Sequence, residues 1–179
     1  MALLNRMKES QPSRIVNVSS LGHEQSVPGG IDFDTLNDST KSDNISRYGR
    51  SKLALVLFTK ALARRLVNDR VYVNVAYPGF VLTDTDRDAN EFGVFEKFAL
   101  SITLKLMGMP PDVGALTQLY LATSPEVEEK EIKGRYFIPI AKEIQPSSLS
   151  KDIALQDSLW TFSEKLAQEK IKVQSQDTK

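Results

Sequence analysis

Val71-Tyr-Val-Asn-Val-Ala-Tyr77, stopped by Pro78-Gly79, is short, β-branched and almost wholly apolar. Such a run reads as a strand buried on both faces. Upstream, from about Tyr48 to Asn68, the chain is rich in Leu, Ala, Lys and Arg, with no proline and no glycine beyond Gly49, which predicts a helix. Its apolar residues (Leu53, Leu55, Val56, Phe58, Leu62, Leu66) cover most of the circumference, so burial on more than one side is expected. Ser46 is placed as its cap, and Lys60, Arg64 and Arg65 suit its negative end. Further back, Arg14-Ile-Val-Asn-Val-Ser-Ser20 is a second apolar run after a Gln-Pro-Ser break. Strand, helix and strand at this spacing define a βαβ unit, hence a parallel sheet with a right-handed crossover.

Outward from that unit, residues 1–10 read as the tail of a helix, and Gly22 to Arg47 is polar loop containing Pro28, Gly29 and Gly30. Downstream, helices are expected between Asn90 and Met107, from Asp112 to Thr123 after Pro110-Pro111, and from Lys151 to Lys172. Arg135-Tyr-Phe-Ile-Pro139 is a third strand. Three strands are few for a doubly wound domain. The expected fold is therefore α/β: a partial Rossmann-like, doubly wound parallel sheet that starts in mid-fold, its first strands missing. One catalytic unit is assigned to residues 1–172 and a polar, frayed tail to 173–179.

The composition narrows the function. With 23 basic and 23 acidic residues the formal charge is zero, and nothing calls for nucleic acid as a partner. No cysteine is present, and a lone histidine, His23, makes a metal site an unpromising reading. No apolar run approaches the roughly 20 residues of a transmembrane segment, and no export signal is found. A cytoplasmic location is expected.

Tyr48 and Lys52 stand four residues apart on the predicted helix and share a face. A phenol with an ordinary pKa near 10 needs a shift of roughly three units, about 4 kcal/mol, to work as an acid or base near neutrality. An ammonium one turn away supplies part of that shift by favouring the phenolate. Ser20, at the C-terminal end of the first strand, lies where ligands of open α/β sheets bind, and its hydroxyl could hold a substrate oxygen. Each element alone is ordinary: such Tyr–Lys pairs arise by chance, and Ser-Ser or Pro-Gly after a strand is usually just a turn.

Their order is more specific. Arg14 to Ser20, then Tyr48-Gly-Arg-Ser-Lys52, then Val73-Asn-Val-Ala-Tyr-Pro-Gly-Phe-Val-Leu-Thr83 resembles the second half of a short-chain dehydrogenase/reductase. The branch it resembles most is the retinol-dehydrogenase-like and WW-domain-oxidoreductase-like one. Its Ile-x-Phe-x-x-Leu-Asn element is matched by Ile31, Phe33, Leu36 and Asn37, and its later segments by Gly114 to Ser124 and Gly134-x-Tyr-Phe. The resemblance covers nearly the whole chain.

It implies an NAD(P)-dependent oxidoreductase that interconverts an alcohol and a carbonyl. Tyr48 would be the acid/base; Lys52 would lower its pKa and bind the nicotinamide ribose; Ser20, preferred to Ser19, would hold the substrate oxygen. Pro78, Gly79, Val81 and Thr83 would lie against the nicotinamide, Val81 through its backbone. Asp84 to Met109 would form an apolar lid, whose Phe92, Phe95, Phe98, Leu104 and Met107 suggest a lipophilic substrate but suit core packing equally. NADP is placed ahead of NAD, and a homodimer through the tyrosine-bearing helix is a further expectation.

Two features of the family pattern are not found. No Gly-x-x-x-Gly-x-Gly or Gly-x-Gly-x-x-Gly occurs among the nine glycines, and such a turn is what cradles a dinucleotide pyrophosphate. The Asn-Asn-Ala-Gly strand end is also absent. The alternative reading is thus an inactive fragment that acts, if at all, as a protein-binding module. A serine hydrolase built on Ser20, His23 and Asp32 or Asp34 is disfavoured, because no Gly-x-Ser-x-Gly elbow is present.

Overall fold

β2 (Val71–Ala76) is buried at every position, as a central strand covered on both faces must be. In the computed structural model, which describes residues 2–26, 29–36, 38, 40–82 and 108–177, it pairs in parallel with β1 (Ser13–Val18) from Ser13↔Val71 to Val18↔Ala76. On its other side β3 (Tyr136–Ile138) is parallel, and β4 (Lys142–Ile144) closes the edge antiparallel to β3. The sheet order is β1-β2-β3-β4. β4 was not expected. Three residues, two of them charged, carry too little pattern to be read as a strand, and pairing with β3 alone defines it.

The period-2 alternation of β2 sorts its side chains between two layers. Val71 and Val73 face Ala61 and Leu62 of α2 (Asn44–Arg65) and Leu66 just after it, joined by Trp160 of α5 (Ile153–Asp177) and by Leu4 and Met7 of α1 (Ala2–Glu9). Tyr72 and Ala76 face the opposite way, with Leu121 of α3 (Pro111–Thr123), Val127 of α4 (Glu126–Glu129) and Phe137. Helices cover both faces of a mainly parallel sheet, the expected α/β class.

The helix boundaries moved for local reasons. α2 begins at Asn44, because Asp43 rather than Ser46 caps it: the Ser46 amide donates to the Asp43 carboxylate at 2.7 Å. A charged acceptor at the N-terminus gains from the helix dipole as well as from the hydrogen bond. α2 ends at Arg65, where the Leu66 amide bonds back to Leu62 and Ala63. α5 starts two residues later than expected, after a 3-10 turn at Ser148–Lys151, and continues to Asp177, into the stretch assigned to a frayed tail. The helix expected between Asn90 and Met107 lies outside the described residues, as do Asn37 and Thr83.

Candidate active site

The site is assembled where β1 and β2 end together. Ser19 continues the ladder by donating its amide to the Ala76 carbonyl at 2.9 Å. Its buried hydroxyl donates to the Lys52 carbonyl at 2.9 Å, which ties the strand end to α2 and occupies that oxygen. Ser20 is extended (φ −151°, ψ 160°) and caps the 3-10 turn Leu21–Gln25, its hydroxyl oxygen accepting the Gly22 amide at 3.1 Å. The Ser20 hydroxyl proton remains available, since no acceptor is bonded to it among the described residues.

Gly22 brings this turn under Tyr48. A Cβ on Gly22 would lie 2.8 Å from Tyr48 Cε1 and 3.5 Å from the Ser20 hydroxyl, so the tyrosine ring and the serine hydroxyl both flank this one small residue. Tyr48 is half-exposed, and its hydroxyl has no hydrogen-bond partner among the described residues. Lys52 Nζ stands 5.4 Å from the centre of the Tyr48 ring and makes no ion pair among those residues. Ser20, Tyr48 and Lys52 therefore converge. Pro78, Gly79 and Val81 leave β2 at the same sheet edge. Gly79 has φ +90°, and a Cβ there would meet Met109 Cε at 2.6 Å. Val81 bridges Met109 through its neighbours, Met109 donating to Phe80 O at 2.8 Å and Leu82 to Met109 O at 2.9 Å. The peptide groups of Val81 itself point away from Met109 and are unpaired among the described residues.

Several residues near the site have roles that their sequence context does not indicate. His23 is fully buried; the Ser147 amide donates to its Nε2 at 3.1 Å, while its Nδ1 lies 2.7 Å from the Ser20 carbonyl. Those two partners require the neutral ring with the proton on Nδ1. His23 thus meets the Ser20 backbone and not its hydroxyl, which removes the hydrolase reading and replaces a plain loop residue with a structural strut. The Tyr136 ring centre lies 5.0 Å from that of His23, the two rings tilted by 43°, and its buried hydroxyl has no hydrogen-bond partner among the described residues. Burial, then the neighbouring Tyr77, Glu24 and Tyr48, hold its phenol well above the usual range. Burial and Tyr48 likewise raise Tyr77. No group of three or more metal-ligating side chains occurs among the described residues.

Comparison with known proteins identifies the family of the chain. A family model described as "Enoyl-(Acyl carrier protein) reductase" matches residues 1–127. Human Retinol dehydrogenase 13 is 39% identical over 166 residues, covering 92% of this chain and 48% of that protein. Human Retinol dehydrogenase 14 is 40% identical over 163 residues, covering 90% and 46%. The chloroplastic Short-chain dehydrogenase TIC 32 A of Brassica napus is 35% identical over 173 residues, covering 93% and 52%. Among solved structures, an uncharacterized protein from Mycobacterium paratuberculosis superposes with a TM-score of 0.59 at 25% identity, over 87% of this chain and 50% of that one. The chain belongs to the short-chain dehydrogenase/reductase family of oxidoreductases, in its retinol-dehydrogenase-like branch. It spans about half the length of the curated relatives it matches.

Proposed function

We propose that this chain carries the proton-transfer half of an NAD(P)-dependent oxidoreductase acting on a small lipophilic alcohol or carbonyl compound. The observation that carries the reading is that Ser20 and Tyr48 flank Gly22 with Lys52 beside the Tyr48 ring, while the Ser20 hydroxyl proton, the Tyr48 hydroxyl and the Lys52 ammonium are unpaired among the described residues. The Ser20 hydroxyl donates to the substrate oxygen and fixes its position. Tyr48 gives its proton to that oxygen in reduction and takes it back in oxidation. The Lys52 ammonium stabilises the negative charge that builds on the phenol oxygen.

The residues present fit the nicotinamide end of NADP or NAD. The Val81 peptide, unpaired among the described residues, would take the carboxamide, Lys52 the ribose, and Pro78, Gly79 and Thr83 would line that end. The chemistry such a cofactor supplies when bound is hydride transfer. Names of relatives that contain "Retinol dehydrogenase" support a lipophilic alcohol as substrate class. A cytoplasmic setting and a homodimer through α2 complete the proposal; no helix of the described residues is long and apolar enough to cross a membrane.

A second reading, an inactive protein-binding module, draws on the unpaired outer edge of β1 among the described residues and the lack of a glycine-rich phosphate turn in the sequence. Titration of the purified, folded 179-residue chain with NADPH and NADH, read by nicotinamide fluorescence, separates the two. Saturable binding supports the oxidoreductase. Absence of binding at millimolar cofactor overturns it for this chain and favours the module.

A further inference from the structure

At the opposite end of α2 from Tyr48, a cleft of about 620 Å³ opens between the last turns of that helix, the loop entering β3 and the 3-10 turn before α5. Five cations line it, namely Lys60 and Arg64 of α2, Lys133 and Arg135 of the loop, and Lys151, against a single lining carboxylate, Glu131. Most surface cations are spaced among carboxylates. Here three elements bring like charges together.

Pairing within the cleft is uneven. Arg64 donates to Asp157 at 2.7 Å, Arg135 to Glu143 at 2.8 Å, and Lys133 reaches Glu131 at 3.2 Å and the Asp69 carbonyl at 2.7 Å. Lys60 and Lys151 have no ion pair or hydrogen bond among the described residues, although Lys60 is half-buried. Burial first, then Arg135 and Lys151, push the Lys60 ammonium below its ordinary range, with Glu143 opposing. An unpaired, partly desolvated ammonium facing two further cations is unfavourable on its own, and a bound anion relieves both the desolvation and the repulsion.

We propose that this cleft is a binding site for a ligand with two or more clustered phosphate groups, held by Lys60 and Lys151 with Arg64 and Arg135 at its flanks. A single carboxylate cannot reach cations on three elements, whereas a phosphate offers several oxygens, each able to accept a charge-assisted hydrogen bond. The volume is that of a small-molecule site rather than of one ion. The phosphates can come from a soluble polyphosphorylated compound or from lipid headgroups, and the same cations serve both.

Isothermal titration with tripolyphosphate, with sulfate at matched ionic strength as reference, tests the site in the full chain. The variants are Lys60→Gln/Lys151→Gln, the single Lys151→Gln, and Lys130→Gln, whose lysine pairs with Glu126 elsewhere. Saturable tripolyphosphate binding, weakened at least about tenfold in the double variant, severalfold in the single one and unchanged in Lys130→Gln, is the expected result. Binding equal in all variants, or no stronger than sulfate, overturns the site. Co-sedimentation with phosphatidic-acid vesicles, sensitive to the same double variant, assigns the phosphates to lipid; tripolyphosphate binding without co-sedimentation assigns them to a soluble ligand. Failure of both overturns the proposal.

Discussion

Gly49, in the second turn of α2, stands directly against the carbonyl of Gly22: a Cβ at position 49 would lie 2.7 Å from that oxygen and 2.9 Å from the Gln25 carbonyl carbon. Glycine inside a helix costs about 1 kcal/mol relative to alanine, so its presence beside Tyr48 needs a reason. The reason is the approach of the Leu21–Gln25 turn, which carries Ser20 at its start.

Gly49→Ala should therefore destabilise the protein by roughly 1–3 kcal/mol despite the better helix propensity, because the atoms it meets are backbone and cannot turn aside. Urea unfolding of the two chains decides it. A stabilised variant would mean that the turn yields freely and does not fix Ser20 against Tyr48.

His23 holds the same turn from the other end. Replacing it with leucine keeps the volume near its present value but strands the Ser147 amide, while the Ser20 carbonyl keeps only the backbone amide of residue 23. A loss of roughly 1–3 kcal/mol is expected. Hydrogen exchange should accelerate at the Ser147 amide; protection equal to that of the native chain would show that this hydrogen bond is not formed in solution.

The fate of these two positions shows what the sequence could carry. The βαβ unit was legible because Val71–Ala76 and residues 14–18 are apolar over lengths that only buried strands sustain, and Tyr48 with Lys52 because helical spacing alone places them together. His23 and Gly49 were opaque for a different reason. Their partners, Ser147 and the Gly22–Gln25 backbone, come from other segments, and no periodicity announces a contact between a turn and a loop 124 residues away. β4 is hidden by its brevity, and the sequence does not separate Asp43 from Ser46, since both are good caps and only the geometry selects between them.

Tyr136 offers a test on the alkaline side. Its folded-state phenol is held above the ordinary value of 10.0, so the folded state keeps its proton where the unfolded chain has lost it. Stability must then fall as pH rises past that ordinary value. Tyr136→Phe removes this dependence and a buried hydroxyl that has no partner among the described residues. It should be neutral or stabilising by up to about 1 kcal/mol at neutral pH, with a flatter decline in unfolding midpoint above pH 10. A clear loss at neutral pH would show that the hydroxyl has a partner in solution.

Acid should act on the contact between α2 and α5. The Arg64 guanidinium, with Arg65 beside it, holds the exposed Asp157 carboxyl below its ordinary value of 3.8. A depressed folded-state value means a contribution present above that ordinary value and lost as pH falls through the lower, folded one. Asp157→Asn should lower stability slightly at neutral pH and make no difference at the acid end of the curve. A difference that persists undiminished in acid would assign its effect to packing.

The phenol of Tyr48 carries the proposed chemistry, and its removal separates chemistry from binding. Tyr48→Phe keeps the ring that rests on Gly22, so the turn and Ser20 stay in place. Where cofactor-dependent turnover of an alcohol is measured, the variant should lose about 100-fold or more in kcat, the usual worth of a positioned acid/base, while dinucleotide affinity stays within a few-fold. Lys52→Met should reduce both, since the ammonium serves the phenol and the ribose in the proposed arrangement. Equal turnover in Tyr48→Phe would leave the convergence around Gly22 as a packing feature of α2 and would move the search for the proton donor to another group.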